Sequence, residues 1–129
     1  MKTPKSITLG LLVIGALNAG CEKQVSYSRD VLPILEAKCR SCHSPGGEGY
    51  AASGFSVESY RTAMKGTKYG AVIVPASSLS STLVRLIEHK ADPSIAMPRS
   101  PVKGEPSKWL TPQEIKLIET WIDEGAKDN

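Results

Sequence analysis

A small all-α fold of three to four helices is what the sequence predicts, and three observations lead there. Segments around 28–39, 56–65 and 77–90 carry helical apolar spacing or helix caps, and a fourth, 111–125, shows a full set of helix start and stop signals. The β-branched run Ala71-Val72-Ile73-Val74-Pro75 has no partner strand, and one strand makes no sheet. The third observation is Cys39-Arg40-Ser41-Cys42-His43, which has the spacing of a covalent c-type haem attachment site. Each thiol adds to one of two vinyl groups on neighbouring porphyrin rings, and the adjacent imidazole lies under the iron as its proximal ligand. A chain of 129 residues has room for one domain, so the helices are expected to house that one haem.

Two other chemistries use the same residue types. A structural zinc site wants a fourth soft or imidazole ligand, yet outside the motif the chain offers only Cys21 and His89, with no second paired cluster. A thiol redox pair is expected in a βαβ setting, whereas the residues before Cys39 read as one helix.

Taken in order, Lys2 and Lys5 form a basic start and Ile7 to Leu17 an apolar run, short of the roughly 20 residues a spanning helix needs. Residues 1–20 are therefore expected to be an export signal. Leu17-Asn18-Ala19-Gly20-Cys21 resembles a bacterial lipoprotein cleavage site, although Asn18 stands where Leu is usual, and ordinary cleavage near Ala19 is the alternative. Cys21 is the odd thiol left once Cys39 and Cys42 are taken, and acylation of Cys21 accounts for it. The expected layout is a signal at 1–20, a tether at 21–27 and one domain at 28–126. The expected location is the periplasmic or cell-surface side of a bacterial membrane, with the lipid as anchor.

Charge excludes a class of partner. Without Lys2 and Lys5 the 16 basic residues become 14 against 13 acidic ones, a balance that does not suit nucleic acid. One Phe, two Trp and four Tyr give a modest core, to which a haem face would add.

Val31, Ile34, Leu35 and Cys39 follow helical spacing, with Ser28 the expected N-cap and Asp30 suited to the positive helix end. Pro33 is awkward in that helix, so either the first turn is loose or the regular helix begins near Leu32. Ser44 to Tyr50 lacks the Lys-Ser/Thr and preceding strand of a phosphate loop and reads as a flexible loop. Ser56 is the expected cap of the next helix, with Phe55 and Tyr60 as staple and Gly66 as its end. Arg61, Lys65 and Lys68 form a solvated face or a docking patch. Ala71–Pro75 is expected to run extended against the haem. Ser77 or Ser78 then caps a helix through Lys90 with Leu79, Leu83, Leu86 and Ile87 as its core stripe.

Ser94-Ile95-Ala96-Met97-Pro98 is non-helical, and Pro98 biases Met97 toward an extended backbone. A haem with His on one side needs an account of the other, and Met suits an electron carrier. Met97, 54 positions after His43, is the first candidate; Met64, inside a helix, and His89, near a helix end, are the others. Finally Thr111 is N-cap, Pro112 stands at N1, Glu114 completes a capping box, Leu110 and Ile115 form the staple and Gly125 closes the helix. Ile115, Ile118, Trp121 and Ile122 make its buried face. Trp109 and Trp121 are core residues or indole donors to a haem propionate.

This order of features, from Asp30-Val31-Leu32-Pro33-Ile34-Leu35 and Cys39-Arg40-Ser41-Cys42-His43 through Ile73-Val74-Pro75, Ser81-Thr82-Leu83-Val84-Arg85-Leu86-Ile87 and Met97-Pro98 to Leu110-Thr111-Pro112-Gln113-Glu114-Ile115 and Trp121-Ile122-Asp123-Glu124-Gly125-Ala126, resembles a cytochrome c domain of the planctomycete type. The resemblance implies a small cytochrome c-like fold around one covalent haem c. Its implied ligands are His43 and Met97, with thioethers at Cys39 and Cys42. It further implies a one-electron carrier, not an enzyme, working with redox partner proteins and reaching the membrane through lipid at Cys21. The alternatives from another class are a haem-based sensor of small ligands and an accessory haem subunit of a larger oxidoreductase. A haem peroxidase finds no convincing distal acid–base pair.

Overall fold

The computed structural model describes residues 23–99 and 109–129, so the leader expected at 1–20 and Cys21 lie outside the described residues. A π-helical turn, Tyr27–Val31, leads into α1 (Leu32–Lys38), followed by α2 (Glu48–Ser53), α3 (Tyr60–Lys65), α4 (Thr82–Ile87) and α5 (Pro112–Asp123). Among the described residues the one β feature is an isolated bridge between Thr67 and Gly70. None of the described helices is long and apolar enough to cross a membrane.

Pro33 explains the first element. It has no N–H to return to the preceding turn, and it sits in the first turn of α1, where none is needed. The turn before it widens to the π form, with Leu32 N–H donating to the Tyr27 carbonyl. The cap is Ser26 and not Ser28: Ser26 Oγ accepts from Arg29 N at 3.3 Å, while Asp30 Oδ2 accepts from Ser26 N at 2.8 Å. Ser28 gives both its N–H and its hydroxyl to the Asn129 carbonyl, at 3.0 and 2.9 Å, and the Ser26 hydroxyl donates there too, at 2.8 Å.

That bond belongs to a seam joining the two ends of the domain. Val25 N donates to Glu124 Oε2 and Tyr27 N to Asn129 Oδ1, both at 2.8 Å. Val25 and Tyr27 are buried with the core, so these last residues of the expected 21–27 tether pack as part of the fold. Tyr27, Tyr60 and Trp121 meet there, with Tyr27 ring centroids 5.3 Å from each of the other two. Trp121 Nε1 donates to the Lys127 carbonyl at 2.9 Å, which makes this indole a core residue and removes it from the candidates for a propionate donor.

The expected flexible loop after His43 is half helix. Gly47 caps α2 from an extended conformation, and Gly54, at φ +76°, ends it as glycine readily does. Three glycines and an alanine pair give a weak helical pattern, and α2 owes its place to backbone bonds with the preceding motif. In α3 the cap is Ser59 and not Ser56, in a reciprocal box with Thr62, and Gly66 closes it as expected. Ser56 Oγ accepts locally from Glu58 N at 3.3 Å, a turn that spends its hydroxyl before the helix starts.

Val72–Val74 is irregular with Ile73 buried, and it bonds to the start of α4 and not to a strand: Leu83 N donates to the Val72 carbonyl at 2.9 Å and Val74 N to Ser81 Oγ at 2.8 Å. This shortens α4. Ser78 N and Oγ are bound by the Asp123 carboxylate at 2.7 and 2.9 Å, and Ser81 Oγ reaches the Ser77 carbonyl at 2.8 Å, so the chain turns until Ser81 and the helix begins at Thr82. Leu79, expected in the core stripe, is 89% exposed, while Leu83, Val84 and Ile87 are buried.

α5 follows its sequence signals closely. Thr111 Oγ1 accepts from Glu114 N at 3.2 Å and Glu114 Oε2 from Thr111 N at 2.7 Å, and Ile118, Trp121 and Ile122 are buried in one core cluster with Leu35 of α1 and Leu83 and Val84 of α4. Thr111→Ala is expected to cost about 1 kcal/mol through loss of the cap. Thermal unfolding followed by circular dichroism should show Tm lower by roughly 4–8 °C; an unchanged Tm would mean that the box adds nothing to α5.

Candidate functional site

The C-terminal end of α1 builds the site. Cys39 N–H closes the helix on Leu35, and Cys42 and His43 both donate to the Cys39 carbonyl, at 3.1 and 2.8 Å. This tight turn sets the backbone from which both thiols and the imidazole of the motif project. Cys39 faces inward and packs against the core, and Cys42 is exposed. Both thiols are free, so they are not spent on each other.

His43 is 9% exposed and its ring is held from two sides. Nδ1 lies 3.3 Å from the Phe55 carbonyl, and the Phe55 ring stands edge-on to it at 5.3 Å and 70°. A carbonyl oxygen only accepts, so Nδ1 carries the proton and the Nε2 lone pair is left for a ligand. Burial pushes the His43 pKa below its ordinary value and so favours the neutral ring, against a smaller opposite effect of the Phe55 bond. The His43 carbonyl in turn accepts from Val57 N at 3.0 Å, fixing the strand of chain that supplies Phe55.

The loop beyond the motif folds back over it. Tyr50 N donates to the Cys42 carbonyl at 2.9 Å, and Gly47 N to the Ser44 carbonyl at 2.8 Å. A Cβ on Gly47 would fall 2.3 Å from the Cys42 oxygen, and one on Gly49 would fall 2.8 Å from His43 Cε1 and 2.9 Å from Nε2.

These donors suit a haem. Among the described residues no three of His, Cys, Asp and Glu converge in a cluster able to hold one metal ion, as a zinc site requires. Haem attachment asks the opposite, two thiols reaching the porphyrin edge and an imidazole reaching the iron. A reactive redox pair needs a lowered thiol pKa, whereas burial, with Cys42 adding a smaller effect, pushes the Cys39 thiol up to about 12.

The remaining candidates gather at the end of α4. The Leu86 carbonyl receives Met97 N at 3.1 Å and His89 N at 3.2 Å. Met97 is partly buried and leaves an Asp92-capped turn in which Ser94 N and Oγ are bound to Asp92 Oδ1 at 2.8 and 2.6 Å. Met64, by contrast, packs against the core from α3. His89 is partly buried at φ +54° and tilted over Trp109 at 4.1 Å, with Nε2 buried and without a hydrogen-bond partner among the described residues. No hydrogen bond among the described residues links Met97 or His89 to the motif turn. Phe55 and Gly49 are the site residues the sequence did not single out. Phe55 acts through its carbonyl, which no side-chain pattern reports, and Gly49 through a close approach visible only in three dimensions.

An all-α fold that presents two free thiols beside a neutral, oriented imidazole is the scaffold of a c-type cytochrome, whose cofactor is covalently bound haem c. Residues 39–101 match the planctomycete cytochrome c family, and the chain carries a cytochrome c domain of that type. The chain is also similar to the hydrazine synthase subunit alpha of Kuenenia stuttgartiensis, 33% identical over 128 residues that cover 82% of this chain. It spans 16% of that relative's length. No solved structure matches the chain.

Proposed function

We propose that this chain is an exported one-electron carrier with a single haem c, attached through thioethers at Cys39 and Cys42 and ligated by His43 and Met97. The observation that supports it best is the His43 ring: buried, neutral, with Nδ1 committed to the Phe55 carbonyl and Nε2 available. When bound, the haem supplies an iron that alternates between ferric and ferrous. The protein's part is to hold ligands that do not rearrange between those states. Phe55 fixes the tautomer and tilt of His43, and the bond from Met97 N–H to the Leu86 carbonyl fixes the backbone from which the thioether projects. Met64 is occupied by core packing, which leaves Met97 as the methionine suited to the distal side. A thioether favours the ferrous state, so Met97 sets a higher potential than a second imidazole. Neither a proton donor nor a substrate pocket is needed for this work. We further propose that the partners are redox proteins and not nucleic acid. In this reading the protein acts outside the bacterial inner membrane and is anchored through lipid on Cys21.

One observation favours a second reading, an accessory haem module of a larger oxidoreductase: the similar Kuenenia protein is a synthase subunit, of which this chain spans a small part. Titrating the reduced holoprotein with carbon monoxide distinguishes the two. A carrier with both axial positions filled is expected to refuse the gas, and rapid stoichiometric binding would overturn the carrier assignment in favour of a ligand-binding or catalytic module.

A further inference from the structure

We propose that Gly49 is a positioning residue for the iron-binding nitrogen of His43, an inference that rests on His43 as proximal ligand. The imidazole is bracketed. On one side Phe55 accepts from Nδ1 and lays its ring edge-on at 5.3 Å; on the other the main chain of α2 passes at position 49. A side chain there would begin 2.9 Å from Nε2 and 2.8 Å from Cε1, closer than real Cβ contacts come, so something must shift. The ring cannot retreat without giving up the Phe55 bond that fixes its tautomer. α2 cannot retreat freely either, because Tyr50 N is tied to the Cys42 carbonyl at 2.9 Å and Gly47 N, at its cap, to the Ser44 carbonyl at 2.8 Å. Any side chain at 49 therefore competes for space with whatever Nε2 binds.

Helix propensity argues the other way, which makes the case informative. Gly49 lies inside α2 in a helical conformation that Ala adopts more readily than Gly, so on local grounds Gly49→Ala should help the fold. A glycine at a position where alanine is locally better points to a requirement from outside the helix. Gly46 provides the contrast: it has φ +91°, and a Cβ added to it would meet nothing within 4 Å, so Ala there strains the backbone without approaching His43.

The test compares holoprotein of wild type, Gly49→Ala and Gly46→Ala by haem staining after denaturation and by electron paramagnetic resonance of the ferric state. All three are expected to stain, and Gly49→Ala alone is expected to lose part of its low-spin signal to a high-spin component, as the His43 bond weakens. Gly46→Ala should lower thermal stability and keep the wild-type spectrum. A Gly49→Ala protein with wild-type resonance and potential would overturn the proposal while the haem reading stands. An unstained wild type would overturn both. Should Gly49→Ala fail to fold, His43→Ala is combined with it: recovery to the level of His43→Ala alone identifies the ring as the obstacle, and failure to recover places the cost on the Cys42 backbone and overturns the proposal.

Discussion

Replacing both Cys39 and Cys42 with Ser is expected to remove all haem that survives denaturation, and replacing either one to leave a single thioether. The physical reason is that serine oxygen does not form the bond to a porphyrin vinyl that a thiol does, so nothing but axial ligation and packing would then retain the group. The two sites are not equivalent. Cys39 packs against the core beside Leu35, whereas Cys42 is exposed, so Cys39→Ser also puts a hydroxyl where an apolar sulfur packs. Loss of stability should accordingly be larger for Cys39→Ser than for Cys42→Ser. Haem-stained denaturing gels with intact-mass measurement of the mature protein read these outcomes directly. The same mass decides the N-terminus: acyl groups on Cys21 support the anchor, and a lipid-free mass means a freely diffusing carrier. A wild-type band whose stain disappears on acid–acetone extraction would show that the haem is not covalent and would overturn the central assignment.

Replacing Met97 with Ala is expected to lower the reduction potential, abolish the weak far-red sulfur-to-iron absorption of the oxidised protein and open the iron to carbon monoxide. Each effect follows from loss of a thioether that favours ferrous iron and closes the distal position. Met64→Ala gives a contrasting result, because Met64 packs on the core: its truncation should cost stability, on the order of 2 kcal/mol or more, with spectrum and potential unchanged. His89 is the competitor that must be tested alongside, since it shares the Leu86 carbonyl with Met97 and its Nε2 has no hydrogen-bond partner among the described residues. If Met97→Ala leaves potential and absorption as they were while His89→Ala changes both, the carrier is ligated by two histidines and the Met97 assignment is wrong.

How far these assignments are legible in the sequence differs from residue to residue. Cys39, Cys42 and His43 can be read as a unit because their spacing is local, and a local pattern survives without knowledge of the fold. α5 is legible for the same reason: Thr111, Pro112, Glu114 and Gly125 satisfy the helix ends within one segment of chain, and Ile118, Trp121 and Ile122 repeat at helical spacing. The all-α class follows from such segments together with one β-branched run that has no strand to pair with.

What lies beyond the reach of local pattern is decided by tertiary contact. Ser26 and Ser28 both give their hydroxyls to the Asn129 carbonyl, more than a hundred positions away, and of the two only Ser26 also accepts from the Arg29 N–H and caps the first turn. Where α4 begins depends on Asp123 of α5, whose carboxylate holds Ser78 in a turn and leaves Leu79 outside the core. The glycines after the motif read as slack in the chain because glycine is compatible with disorder and with close approach alike. Only the packing of α2 onto Cys42 and His43 distinguishes the two. Attachment chemistry and helical class are thus written in short spacings that need no fold to be read. The orientation of His43 by Phe55, the bounds of the helices and the placing of Met97 beside His89 come from the folded chain instead, because each depends on a backbone group brought in from elsewhere.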